Sequence, residues 1–124
     1  MNQSELKERT KQFALRIIKL IEALPNTATG RTIKNQLIRC GTSVGANYRA
    51  TCRARSRADF IAKLGIVLEE ADESVFWLEL IIDALLLKEK LVEPLLTEAN
   101  ELTAIFAATL ISSKKDKSEI NLKS

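Results

Sequence analysis

Apolar residues recur every three to four positions along four long segments of this 124-residue chain. That spacing matches the 3.6-residue turn of an α-helix and gives each segment one apolar face. Only four glycines and two prolines interrupt the chain, which favours long helices over many short strands. The pattern predicts an all-α protein, an antiparallel up-and-down four-helix bundle, because short connections place successive helices side by side in opposite directions.

Capping residues and prolines predict where the helices begin and end. Ser4 is a candidate N-cap for the first helix, and Pro25 should end it. Ser56, followed three residues later by Asp59, resembles a capping box before the third helix. Pro94 suits the first position of the fourth helix. The predicted helices cover residues 4–24, 31–55, 57–87 and 94–113, in one domain of residues 1–113 that is followed by a charged, disordered tail over residues 114–124.

The composition argues against catalysis. The chain has no His, so it lacks the commonest general base and the usual zinc ligand. Cys40 and Cys52 lie about 18 Å apart along one predicted helix, too far for a disulfide, and are expected to be reduced thiols. The carboxylates of the third helix could suggest a metal-binding bundle, but such sites need Glu-x-x-His pairs. We therefore predict no enzyme, no catalytic residue, no metal and no cofactor.

The N-terminal segment MNQSELKERTKQ is charged and is not followed by the apolar run of a signal peptide. No stretch reaches the roughly 18 apolar residues that a transmembrane helix needs. These features predict a cytoplasmic protein with no membrane partner.

Charge is unevenly distributed, although the net charge is only +3. No acidic residue occurs from Ala23 to Ala58, whereas the stretch from Leu68 to Glu101 is strongly acidic. On a helical wheel, five arginines lie roughly opposite the apolar stripe of the second helix. These candidate nucleic-acid-binding residues are Arg31, Arg39, Arg49, Arg53 and Arg57.

Three interpretations of the arginine face stay open. It is a solvated surface partly paired with Glu69, Glu70 and Glu73, or a surface that binds the backbone of RNA or DNA, or a docking surface of an adaptor for an acidic protein. Arginine forms bidentate contacts with phosphate and carboxylate alike, so the residue type does not decide. Tyr48 is the one aromatic residue of that helix and points inward, which does not support stacking on single-stranded bases.

Gly41 and Gly45 are one helical turn apart in the middle of the second helix. Each costs about 1 kcal/mol relative to Ala, and close approach of another helix is the expected return. A phosphate-binding loop is the alternative, but the segment GTSVG matches neither of the usual glycine-rich motifs.

The third helix carries a second apolar face. An exposed apolar patch centred on Trp usually marks an interface, so we expect the chain to form a homo-oligomer. The alternative is that Trp77 caps the core. The candidate interface residues are Ile66, Trp77, Leu80 and Ala84.

Three blocks of sequence resemble one known family, the four-helix bundle or 23S rRNA intervening-sequence proteins. They read Arg39-Cys-Gly-Thr-Ser43-Val-Gly-Ala-Asn47, then Arg55-Ser56-x-x-x-Phe60, then Leu68-Glu-Glu70-Ala-Asp-Glu73-Ser-x-x-Trp77-Leu-Glu79-Leu. Other members often have Glu-Gly after the Asn, where this chain has Tyr48-Arg49.

The resemblance implies a small bundle that assembles into a ring-shaped homopentamer. It also implies similarity to the accessory variability determinant of diversity-generating retroelements, a basic pentameric bundle that binds nucleic acid and a reverse transcriptase. A reverse transcriptase-like or other protein partner is therefore a further expectation.

Overall fold

A computed structural model shows four helices, α1 (Gln3–Ile21), α2 (Ala28–Cys52), α3 (Arg57–Asp83) and α4 (Glu89–Lys123). The structure describes the backbone of residues 1–123 and the side chains of residues 1–115. Each helix packs against the next along the chain, and α4 closes the bundle against α1. The predicted all-α four-helix bundle is confirmed.

The core is built from apolar side chains of all four helices. Phe13 and Ile17 of α1 and Leu37 of α2 are almost completely buried. The rings of Tyr48 on α2 and Phe106 on α4 meet across the core, with their centroids 5.5 Å apart. Burying a side chain of this size contributes about 1.5–3 kcal/mol, so the core holds the bundle together without a disulfide.

The first two helices begin earlier than predicted because other residues cap them. The N-cap of α1 is Asn2, whose Oδ1 accepts the backbone N–H of Glu5 at 2.8 Å. The N-cap of α2 is Thr27, whose Oγ1 accepts the N–H of Gly30 at 3.1 Å. The first turn of α2 therefore comes from the segment between the first two predicted helices.

The predicted cap of α3 is confirmed. Ser56 Oγ accepts the N–H of Asp59 at 3.1 Å, and Asp59 Oδ2 accepts the N–H of Arg55 at 3.3 Å. Lys63 donates to the same carboxylate at 2.8 Å. The contacts with Lys63 and with the Arg55 N–H lower the pKa of Asp59. The start of α3 is thus fixed next to the last turns of α2.

The end of α3 departs from the prediction, which extended this helix to residue 87. Leu85 adopts the left-handed conformation, with φ of 57°. Its N–H bonds to Ile82 O, and the N–H of Leu86 bonds to Ile81 O, which are the two hydrogen bonds of a Schellman motif. Glycine is the usual residue there, and a leucine costs about 1–2 kcal/mol. The chain therefore stops this helix without the sequence signal that normally marks such an end.

Helix α4 begins at Glu89 rather than at Pro94, which lies inside it. Proline has no N–H, so the helix lacks one hydrogen bond there. The backbone is helical to Lys123, beyond the predicted end at residue 113. The predicted disordered tail, 114–124, falls mostly outside the residues whose side chains are described, and it stays a prediction.

Candidate functional site

The five candidate arginines are spread along the length of the bundle. All are exposed, but they lie at different places along α2 and at the start of α3. Arg31 is in the first turns of α2, where Nη1 donates to Asn26 Oδ1 at 3.0 Å. Arg49 is eighteen residues further on, about 27 Å along the axis. The predicted arginine face is therefore long, with Arg31 near the start of α2, Arg39 near its middle and Arg49 near its end.

Arg39 is paired with carboxylates of the neighbouring helix, α3. Its Nη1 lies 3.1 Å from Glu70 Oε2, and its Nη2 forms an ion pair with Glu73 of the same helix, α3. Glu73 also accepts the indole N–H of Trp77 at 3.0 Å. This network joins α2 to α3 and neutralises one of the five arginines. At Arg39, the interpretation as a surface paired with the glutamates of α3 therefore applies.

Arg49 lies about 80° around the axis of α2 from Arg39, beside α1. It borders a groove of about 290 Å³ between the two helices. Lys7 and Lys11 of α1 line the same groove. We call it the α1–α2 groove. Its remaining lining residues are Thr10, Ala14, Thr42, Gly45 and Ala46.

Helices α1 and α2 approach closely at the two glycines, and Gly45 lines the groove. A Cβ atom built on Gly41 would lie 2.9 Å from Ile17 Cγ1. A Cβ atom on Gly45 would lie 3.4 Å from the backbone oxygen of Thr10. A side chain at Gly41 would therefore press on Ile17, whereas a Cβ atom at Gly45 would reach α1 at ordinary contact distance. The phosphate-loop alternative does not apply because α2 is continuously helical here.

A second basic cluster lies where α2 gives way to α3. Arg53 and Arg55 line an open depression together with Lys63 and Asp59. The carboxylate of Asp59 already accepts hydrogen bonds from Lys63 and from the Arg55 backbone. Arg57 follows at the first position of α3. We call Arg49, Arg53, Arg55 and Arg57 the basic end of the bundle.

Four cations near the basic end have no carboxylate partner among the described side chains. The ion pairs of that part of the chain involve Arg9, Arg39 and Lys63. The four are Lys7, Lys11, Arg49 and Arg53. Their positive charge is therefore available to an external anion.

The predicted apolar interface is only partly exposed. Ile66 is 44% exposed, and Ala84, the C-cap of α3, is also exposed. Trp77 and Leu80 are instead half-buried beside the first turns of α2. Helix α2 begins at residue 28, three residues earlier than predicted, and its first turns partly cover these two side chains. Their role in an interface stays a prediction.

On α3, Phe76 is a large exposed apolar side chain that was not among the predicted interface residues. It is 53% exposed, and its ring meets that of Trp77 edge-on at 5.1 Å. A signal was present, since α3 is apolar on nearly every side and Phe76 adjoins Trp77. Lys7 and Lys11 were missed as well, because only the packing of α1 on α2 brings them beside Arg49. We call Ile66, Phe76, Trp77, Leu80 and Ala84 the apolar face of α3.

The described residues offer no sign of a redox or metal centre. Cys40 and Cys52 are both free thiols, and Cys40 is buried. Burial raises the pKa of Cys40, which keeps its thiol protonated. Burial and a hydrogen bond to Cys52 raise the pKa of Tyr48. Within the described part of the chain, no three potential ligands are grouped to hold a metal ion, and no helix has the length and apolarity to cross a membrane.

Two comparisons place this bundle among known proteins. The sequence profile of the 23S rRNA-intervening sequence proteins matches residues 2–108. A crystal structure of a protein with unknown function from the S23 ribosomal protein family of Bacteroides thetaiotaomicron superposes with a TM-score of 0.77. It is 36% identical to this chain, over 84% of this chain and 96% of the other. No curated protein matches the chain. With nearly the whole bundle matched in both sequence and fold, this chain belongs to the 23S rRNA-intervening sequence protein family.

Proposed function

We propose that this protein is a non-enzymatic, oligomeric bundle of the cytoplasm that binds the backbone of nucleic acid through its basic end. The observation that carries the proposal is the contrast among the arginines of α2. Arg39 is neutralised by Glu70 and Glu73, whereas Arg49 and Arg53 are exposed and have no carboxylate partner among the described side chains.

The chemistry of the basic end fits phosphate. Guanidinium groups form bidentate hydrogen bonds to phosphate oxygens. Tyr48 is buried against Phe106, so it offers no surface on which a base could stack. Contacts of this kind position a nucleic acid by its backbone and carry little sequence information. We therefore propose binding that depends on salt and tolerates many sequences.

The proposal includes self-association through the apolar face of α3. Phe76 and Ile66 expose large apolar side chains, and covering such a side chain contributes about 1.5–3 kcal/mol. A ring, with five subunits as the number that the family resemblance favours, would repeat the basic end around its circumference. Weak contacts from each subunit would then add as avidity.

A second candidate function is a protein adaptor whose basic end meets an acidic partner. One observation favours it, namely that Arg39 already satisfies its guanidinium with carboxylates. An acidic protein segment could do the same for Arg49 and Arg53. The two functions differ in what the wild-type protein binds, labelled RNA and DNA or an acidic peptide.

The test is a binding titration of labelled RNA and DNA at two salt concentrations. With about five phosphates neutralised, the affinity should fall roughly 10²–10³-fold between 50 and 200 mM salt. The variant Arg49→Glu/Arg53→Glu should lose binding and keep its helicity. Its matched control is Arg31→Glu/Lys34→Glu, the same charge change at the opposite end of α2.

The control should keep most of the affinity, because its residues lie outside the basic end. Equal losses in the two variants would show that only net charge matters. Binding that ignores both salt and Arg49 would contradict the proposal, and tight binding of an acidic peptide alone would favour the adaptor.

A further inference from the structure

The α1–α2 groove brings together three cations that are far apart in the sequence. Lys7 and Lys11 come from two successive turns of α1, and Arg49 faces them from α2. Like charges one turn apart on a helix cost a few tenths of a kcal/mol. No carboxylate among the described side chains lies within ion-pair distance of any of the three. The groove therefore carries positive potential that its own walls do not offset.

The polar groups of the groove restrict the chemistry of a ligand. Thr10 Oγ1 donates to Leu6 O at 2.8 Å, and Thr42 Oγ1 donates to Ile38 O at 2.5 Å, both within their own helices. Both hydroxyl protons are thus used within the helices, and the Thr10 side chain is completely buried, so neither hydroxyl donates to a ligand. The free donors of the groove are the two ammonium groups and the guanidinium of Arg49. Such a site donates to a ligand only through its cationic groups, which suits the acceptor oxygens of an anion.

Shape restricts the ligand further. The volume of about 290 Å³ lies at the lower end of the range for small-molecule sites, about 300–1,000 Å³. The small residues Ala14, Gly45 and Ala46 line it, and it contains no aromatic side chain. A base would find nothing to stack on, whereas one sugar-phosphate unit fits within this volume and its negative charge is attracted by the three cations.

We infer that the α1–α2 groove holds one sugar-phosphate unit of a nucleic-acid backbone, with Lys7, Lys11 and Arg49 as its charged contacts. The inference rests on the proposed function and adds α1 to the binding surface. The nucleic-acid backbone would then cross the groove between α1 and α2, rather than run along the arginines of α2 alone.

Charge removal in α1 tests the inference on the full-length protein. The variant Lys7→Gln/Lys11→Gln should bind a labelled RNA 12-mer about tenfold or more weakly, with a salt slope reduced by about 1–2. The matched control Lys19→Gln/Lys34→Gln removes the same charge from α1 and α2 outside the groove. We expect the affinity of the control to stay within about threefold of wild type, because charges outside the groove act only at long range and are screened by salt.

A steric variant distinguishes the effect of filling the groove from the effect of removing its charge. Ala46 is exposed at the groove, so Ala46→Leu should fill it without changing the charge or the core. We expect a loss of about fivefold or more, with Ala104→Leu on the exposed side of α4 as the unaffected control. An oligomer of abasic deoxyribose phosphate should compete with the RNA, since the groove contacts no base.

The outcomes distinguish the inference from the function on which it rests. If wild type binds RNA and both groove variants match their controls, the groove does not hold the sugar-phosphate unit, although the basic end still binds nucleic acid. Failure of the abasic oligomer to compete would also overturn the inference. If wild type binds neither RNA nor DNA, both proposals fall.

Discussion

The two sides of α2 use arginine in opposite ways. Toward α3, Arg39 is held between Glu70 and Glu73, and the second of these also accepts the indole N–H of Trp77. Toward α1, Arg49 borders a groove that it shares with two lysines. The residue type is the same and the separation is ten positions. What differs is the neighbouring helix, acidic on one side and basic on the other.

This difference shows why a count of arginines misleads. An arginine that already contacts two carboxylates stabilises a helix pair and has few donors left for a ligand. An exposed arginine without a partner contributes little to the fold and stays available. We therefore expect Arg39 to act on stability, and Arg49 with its groove to act on binding.

The largest expected effect is on assembly at the apolar face of α3. Phe76→Glu places a charge on a residue that is 53% exposed, so the monomer should fold normally and lose self-association. Trp77→Glu should act in the same direction but also disturb the hydrogen bond to Glu73. Sedimentation velocity at tens of micromolar distinguishes monomer from oligomer, and nucleic-acid binding should weaken along with assembly.

Leu15→Glu is the control for assembly, because Leu15 is 49% exposed on α1, away from this face. It should sediment like wild type. A wild-type chain that is monomeric at these concentrations would end the ring proposal, whatever the variants do.

The next effect concerns the close approach of α1 and α2. Gly45→Leu should destabilise the bundle by about 1–3 kcal/mol, because the side chain would press on the backbone of Thr10. Gly65→Leu on α3 is the matched control, since a Cβ atom there meets no other atom within 4 Å. The control should gain up to about 1 kcal/mol from better helix propensity. Urea unfolding followed by circular dichroism measures both changes, and equal stability of the two variants would contradict the packing role of Gly45.

The smallest effect compares the two arginines directly. Arg39→Gln should cost less than about 1 kcal/mol of stability, because the Arg39 side chain is 47% exposed and water screens its ion pairs. The loss should shrink in 1 M salt. Arg49→Gln should leave stability unchanged and weaken nucleic-acid binding instead. If both substitutions affect the same property, the division between the two sides of α2 is wrong.

Helix identity could be predicted from the sequence, whereas several helix ends could not. The Ser56 cap was recognisable because its partner, Asp59, lies three residues away, within the reach of one side chain. The end of α3 was not, because Leu85 occupies a left-handed position that normally selects glycine. Thr27 was overlooked as a cap because it stands in a segment that otherwise reads as a loop. Local sequence signals thus predicted the helix ends that use common capping residues, and missed the others.

In the candidate site, too, some features follow from local sequence and others depend on helix packing. The sequence by itself determined that the chain is helical, that α2 is basic, that α3 is apolar on two sides and that two glycines sit at the middle of α2, since each is a property of one segment. Only the tertiary structure decided that Arg39 meets carboxylates, that Arg49 meets Lys7 and Lys11, and that Trp77 is half-covered. The physical reason is that a helix fixes the angle between its own side chains, whereas the charge beside each one belongs to whichever helix packs there.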